Sequence, residues 1–314
     1  IIMQARNRFQ YDVATGRGTL PVVALITILI WMISSVHNWI NLGSLLCAGI
    51  VSYLLIEMDT RFALIRTRTT LPSVLFLLFY CALTFLHNWS IECLIPVFFL
   101  FTLSALFQSY ELPNASVTIF HAFFWIGIAS LIVPNFIWLA PLLYIHMIPL
   151  RSLNGKSFFA GLIGVSIPYW FILCYYVYQN NLQGFTNLVS RLIQFQPIDY
   201  MSLQPSHYVS WVVIFILSAT FIILYLQTAY KDKVQTRVTL KAIILIGIWI
   251  HIFIFLQPQL INILLPVTMI PAAIIGGHVL ALTFSRITYI LLIVTLSLCG
   301  LLCLFNLWMH LFSY

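Results

Sequence analysis

The chain has 314 residues, of which 62% are apolar and only 7% charged, with a mean hydropathy of +1.04 and a formal charge of +7. A soluble domain carries roughly 25% charged residues, so this composition excludes a water-soluble globular protein and selects a polytopic membrane protein. In hydrocarbon the backbone must bond to itself, which leaves helices or a closed barrel. The apolar runs are continuous rather than alternating, so they select the all-α helix bundle.

The predicted elements begin after the basic residues Arg6, Arg8 and Arg17 with a first apolar run that lacks a small-residue cleavage site and reads as a retained span. About eleven spans (ten to twelve) follow from run lengths near a bilayer thickness. They cover roughly 19–37, 40–56, 71–87, 92–107, 118–133, 134–150, 158–178, 207–229, 239–257, 259–281 and 287–312. Only Pro134-Asn135 separates the fifth from the sixth, and only Gln257-Pro258-Gln259 the ninth from the tenth. The spans read as repeated two-helix hairpins within a single transmembrane domain, 1–314.

One phrase recurs. Arg17-Gly18-Thr19-Leu20-Pro21 leads to His37-Asn38-Trp39, and Arg68-Thr69-Thr70-Leu71-Pro72 leads to His87-Asn88-Trp89. Looser echoes are Arg237-Val238-Thr239-Leu240 and Arg286-Ile287-Thr288-Tyr289, the latter ending at Asn306-Leu307-Trp308. Thr19 or Thr70 suits the helix N-cap and the proline the first turn, where no donor is lost. The tryptophan suits the opposite headgroup layer. With the N-terminus in the cytoplasm, thirteen of the fourteen Lys and Arg residues fall on the inner side and only Arg191 outside, as the positive-inside rule requires. The C-terminus is then periplasmic. The net positive charge thus reads as topology beside lipid headgroups, not as a nucleic-acid surface.

The longest loop, 179–206, contains Phe185, Leu188, Val189, Leu192, Ile193 and Phe195 at helical spacing. This predicts an amphipathic interfacial helix near 184–195, ended by Pro197. The six cysteines lie in apolar runs and read as packing residues; no metal site and no cofactor motif is expected.

Polar residues inside spans are costly, so each is a candidate site. No Asp or Glu falls at mid-depth, and His251 is read as the deepest ionisable group, followed by Gln257. Pro266, Pro271 and Gly276-Gly277 mark the next span as breakable, in the manner of helices that line transporter cavities. On the outer face Arg191, Asp199 and His207 form a candidate catalytic group of base, acid and anion binder. His37, His87 and Glu92 are candidate substrate contacts beside them, with His251 and Gln257 deeper in.

The stretch from Ser104 to Trp170 carries Ile126-Gly127-Ile128-Ala129-Ser130-Leu131, Pro141 to Arg151, and Gly161 to Pro168-Tyr169. With Gly16-Arg17-Gly18-Thr19-Leu20-Pro21 it resembles an uncharacterised family of polytopic inner-membrane proteins of Bacteroidetes-type bacteria. The resemblance implies a bacterial cytoplasmic (inner) membrane and supplies no catalytic residues. The expected function is cell-envelope biogenesis on a lipid-linked or amphiphilic substrate at the outer leaflet, of glycan transferase or ligase type. The first outer loop lacks an acid, which disfavours an acid-dependent transferase. The alternatives are a transporter or flippase with a polar cavity near His251, and a non-catalytic subunit of an envelope complex. Membrane lipids are the expected partners, with no nucleic acid.

Overall fold

A computed structural model describes residues 8–35, 39–201 and 203–312. Among them the regular structure is entirely helical. The helices are α1 (Arg8–Thr15), α2 (Thr19–Ser35), α3 (Leu42–Phe62), α4 (Leu71–Ala82), α5 (Ile95–Gln108), α6 (Ser116–Ile132), α7 (Ala140–Met147), α8 (Gly155–Tyr178), α9 (Leu182–Ser190), α10 (Pro205–Thr228), α11 (Val234–Leu256), α12 (Ile261–Leu282) and α13 (Arg286–Phe312).

Seven helices among the described residues are long and apolar enough to cross a membrane, so this is a multi-pass helical protein. They are Trp39–Phe62, Ile91–Gln108, Gly155–Tyr178, Pro205–Lys231, Val234–Leu256, Pro258–Leu282 and Arg286–Leu311. The other four predicted spans are shorter or broken. The α1–α2 pair bends by 81° and counts as an eighth crossing if the two act as one element. The helices α4 and α6 have 12 and 17 residues. The predicted span 134–150 is a 3-10 turn, Pro134–Leu139, leading into the eight-residue α7.

The sequence reads as one domain; the contacts divide it into two compact units, Ile1–Cys93 with Ile198–Tyr314, and Leu94–Pro197. In the first unit α12 is the central helix: 78% of its span is buried, the largest share of any candidate crossing. It packs against α4, α10, α11 and α13, with α1 laid across it. Gly277 and Gly276 permit this closeness. A Cβ on Gly277 would stand 2.8 Å from the Pro72 ring, and one on Gly276 2.8 Å from Phe221. Gln10 of α1 donates to the carbonyls of Leu280 (2.7 Å) and Thr283 (2.9 Å), groups that a helix C-terminus leaves without internal partners.

In the second unit α6 and α8 pack most intimately. Gly127 faces the Val165 carbonyl and Pro168, and Gly164 faces the Phe120 carbonyl. Small residues let membrane helices approach to backbone contact, where dispersion takes over from the hydrophobic effect. Asn154 and Ser157 form a capping box at the start of α8. The predicted amphipathic helix exists as α9, shorter than expected, with the Asn181 side chain accepting from the Gly184 N–H (3.0 Å) at its start.

The repeated Arg-Thr-Pro phrase serves helix starts, but through other atoms than the spacing predicts. Thr70 makes no side-chain cap. Thr69 does instead: its hydroxyl accepts from the Leu71 N–H (3.1 Å) and donates to the Ala14 carbonyl. Thr19 turns back to the Val13 carbonyl (3.1 Å). In the last echo Ser285 and Thr288 exchange side-chain and backbone bonds of 3.2 and 2.9 Å, a capping box for α13.

Candidate functional site

The predicted outer residues are divided between the two compact units. His37 lies outside the described residues. Arg191 is exposed at the end of α9 and belongs to the second unit, while Asp199 and His207 belong to the first. Asp199 is exposed and accepts from the Met201 N–H (2.9 Å), so its carboxylate shapes its own turn. His207 is buried beneath Phe85, ring centroids 4.4 Å apart, with Nδ1 lacking a hydrogen-bond partner. Nearby, Tyr200 donates to the Phe255 carbonyl, and burial lifts its phenol above the usual range. Glu92 is half-buried in the turn Ile91–Leu94. Gln257 is buried and donates to the Leu256 carbonyl (3.0 Å).

His87 is fully buried. Its Nε2 stands 3.2 Å from the Tyr80 carbonyl, which can only accept; Nδ1 therefore accepts from the Ser34 hydroxyl at 2.6 Å. Its own carbonyl takes the Ser44 hydroxyl (2.6 Å). With both ring nitrogens engaged, His87 is a helix-joining group.

His251 is different. It is buried on α11 with its ring edge-on to Phe215 (centroids 5.3 Å apart), and its Nδ1 has no hydrogen-bond partner. It lines a cavity of about 10 Å³ open to the centre of a water molecule, walled by Ser218 of α10, Gly247 of α11, and Thr268, Pro271 and Ala272 of α12. That is room for about one water. The hydroxyls of Ser218 and Thr268 are bonded back to Ile214 and Leu265 of their own helices (2.7 and 2.8 Å). The unpartnered imidazole nitrogen is thus the polar group left to meet a guest. Pro266 and Pro271 also remove the N–H groups that would bond the carbonyls of Asn262 and Val267.

The same helix faces continue to a second polar cluster. On α12, Thr268, Ala272, Ile275 and His278 recur at helical spacing, as do Ser218, Ile222 and Tyr225 on α10. His278 Nε2 stands 3.1 Å from Oδ2 of Asp232, and the Arg66 guanidinium stands 3.6 Å from Oδ1. The carboxylate is 2% exposed and the imidazole 4%, whereas Arg66 is 51% exposed. The Tyr225 ring meets the His278 ring edge-on (centroids 5.2 Å apart). The His278–Asp232 approach has ion-pair distance but not hydrogen-bond alignment. Both His278 nitrogens, Asp232 Oδ2 and the Tyr225 hydroxyl are accordingly buried without hydrogen bonds among the described residues. Buried polar groups are bonded in the large majority of cases, so this concentration along one seam marks it as the candidate site. Thr268 and His278 are ten residues apart on α12, about 15 Å along a helix.

Sequence reasoning missed His278 and read Asp232 as an edge residue. The available signal was an acid inside the basic stretch Lys231 to Arg237 and a histidine directly after Gly276-Gly277. Elsewhere, the second unit has an open groove of about 430 Å³ between α8 and α9, lined chiefly by apolar residues such as Leu162, Trp170, Leu173 and Phe185. Compared with known proteins, the chain matches no family model, no curated protein and no solved structure.

Proposed function

We propose that the chain is a multi-pass transporter of a bacterial cytoplasmic membrane, with its N-terminus inside and about eleven crossings or part-crossings, and that a small polar solute passes along the α10–α11–α12 seam. The observation that carries this reading is the unpartnered Nδ1 of buried His251 at a water-sized cavity between three candidate spans. An ionisable group inside a membrane bundle costs free energy and marks a solute or ion path by default. The prolines inside the continuous helix α12 fit the same role, because the carbonyls whose N–H partners they remove must find another donor.

Thiol accessibility tests this. In a background with the six native cysteines replaced, Thr268→Cys and Ser218→Cys are expected to react with a water-soluble methanethiosulfonate faster than Leu245→Cys, whose native leucine is exposed on the apolar face of α11. If the seam cysteines stay unreacted while Leu245→Cys behaves identically, no hydrated path exists.

One observation favours a second reading, the handling of a lipid-linked or amphiphilic substrate: the apolar α8–α9 groove, which suits an acyl or prenyl chain. A phospholipid with a photoactivatable acyl chain is then expected to crosslink to Leu173 or Phe185, and bulky Leu173→Trp to reduce the yield. An unchanged crosslink pattern removes this reading.

A further inference from the structure

We propose that Asp232 and His278 form a proton-binding site at one end of the seam, with Tyr225 beside the ring and Arg66 as the exchangeable cation; for its role as a coupling site this rests on the transport reading above. The starting point is an oddly placed carboxylate. Asp232 follows the turn Ala229–Lys231, where its N–H bonds the Ala229 carbonyl (3.2 Å). A turn aspartate ordinarily points into water; this one is 2% exposed. A buried carboxylate is kept only when something neutralises it.

Two groups compete to do so. Arg66 is half in water and reaches Oδ1 at 3.6 Å. It is held there by a specific loop: Ala63 takes a left-handed conformation (φ 47°) with its N–H on the Asp59 carbonyl, Asp59 Oδ1 accepts from the Ile65 N–H (2.9 Å), and Thr236 donates to the Ala63 carbonyl (3.4 Å). The second neutralising group is a proton. Histidine is the side chain that gains charge nearest neutral pH, and at 3.1 Å from Oδ2 a protonated Nε2 pairs with the carboxylate directly. The step is simple to balance. A water-borne proton forms the second N–H bond of His278, the imidazolium replaces the guanidinium as the counter-charge of Asp232, and no electrons move. The groups facing the pair are Tyr225 from α10, Arg66 from the 63–70 loop, and Arg237 of α11, which acts on Tyr225 electrostatically. Facing α12 here, α4 presents Pro72 and Leu75 and α1 the uncharged Gln10 amide.

The test is nitrogen-15 NMR of histidine-labelled protein in liposomes, with the His278 signals identified by their loss in His278→Gln. Near neutral pH the ratio of imidazolium to imidazole at His278 is expected to fall at least about tenfold in Asp232→Asn, the change of one pKa unit. It is expected to rise in Arg66→Gln, where the competing cation is gone. Asp232→Glu, which keeps the charge, serves as the folding control and is expected to retain the imidazolium signal. A ratio that is the same in wild type and Asp232→Asn overturns the site. The thiol experiment reports separately on the path: reactive Thr268→Cys with an Asp232-independent ratio leaves transport standing and removes the proton site. Unreactive Thr268→Cys with an Asp232-dependent ratio leaves the site and removes the transport reading.

Discussion

Adding a single methyl group at Gly164 is expected to destabilise the second unit by about 2–3 kcal/mol, the upper range of overpacking in a filled core. The Cβ of Gly164→Ala would stand 2.6 Å from the Phe120 carbonyl oxygen and 3.2 Å from the Phe124 nitrogen. Those are backbone atoms, so no rotamer change relieves the overlap and α6 must move away from α8. The separation would also loosen the neighbouring contacts of Gly127 with Val165 and Pro168. The informative comparison is Gly49→Ala in α3, where nothing lies within 4 Å. There the substitution removes only glycine's excess backbone freedom, and a gain of about 0.5–1 kcal/mol is expected. Thermal unfolding of purified protein in detergent checks both, and the opposite signs are the result that matters. Equal melting temperatures for Gly164→Ala and wild type would mean that α6 and α8 do not meet in close backbone contact.

The apolar stretches were legible in the sequence because they depend on local composition alone. The proline at the start of α4 was legible for the same reason: Pro72 falls in a first turn, where its missing N–H costs nothing, and Pro96, Pro141, Pro205 and Pro258 take the same position in the structure. Helix lengths were less legible. The hydropathy of 71–87 does not reveal that α4 stops at Ala82, because what ends it is the set of partners that receive its last carbonyls. The site was mostly illegible. His251 stands out within one span, but Asp232 and His278 are 46 residues apart and Arg66 lies 166 residues before Asp232. Only tertiary packing turns an edge aspartate inward. The outer candidates show a converse limit: Arg191, Asp199 and His207 are close in sequence, yet the boundary between the two compact units falls between Pro197 and Ile198.

The seam and the early end of α4 share one physical constraint, that a polar group away from water must find a protein partner or a guest. At the His251 and His278 positions hydrogen-bond partners are missing and a guest, solute or proton, is inferred. At the end of α4 both ring nitrogens of His87 have partners within the chain, and the contrast separates a structural histidine from a functional one.

Replacing His87 by alanine is therefore expected to cost stability, about 3 kcal/mol or more, by removing its two buried hydrogen bonds, with the Tyr80 carbonyl and the Ser34 hydroxyl, and opening a cavity in place of the ring. Asn306 does the matching work from α13. Its amide donates to the Ala82 carbonyl (2.8 Å) and to the Ser210 hydroxyl (3.1 Å), and its backbone carbonyl accepts from Thr84 (3.2 Å). Asn306→Leu is expected to cost a similar amount, since leucine fills the volume but bonds neither the Ala82 carbonyl nor Ser210. Because both residues secure the same helix end, the double variant should lose less than the sum of the two, a coupling that separated sites do not show. Thermal unfolding of the single and double variants measures this. A His87→Ala protein that melts like wild type, or strict additivity with Asn306→Leu, would instead leave His87 free for the substrate contact expected from the sequence.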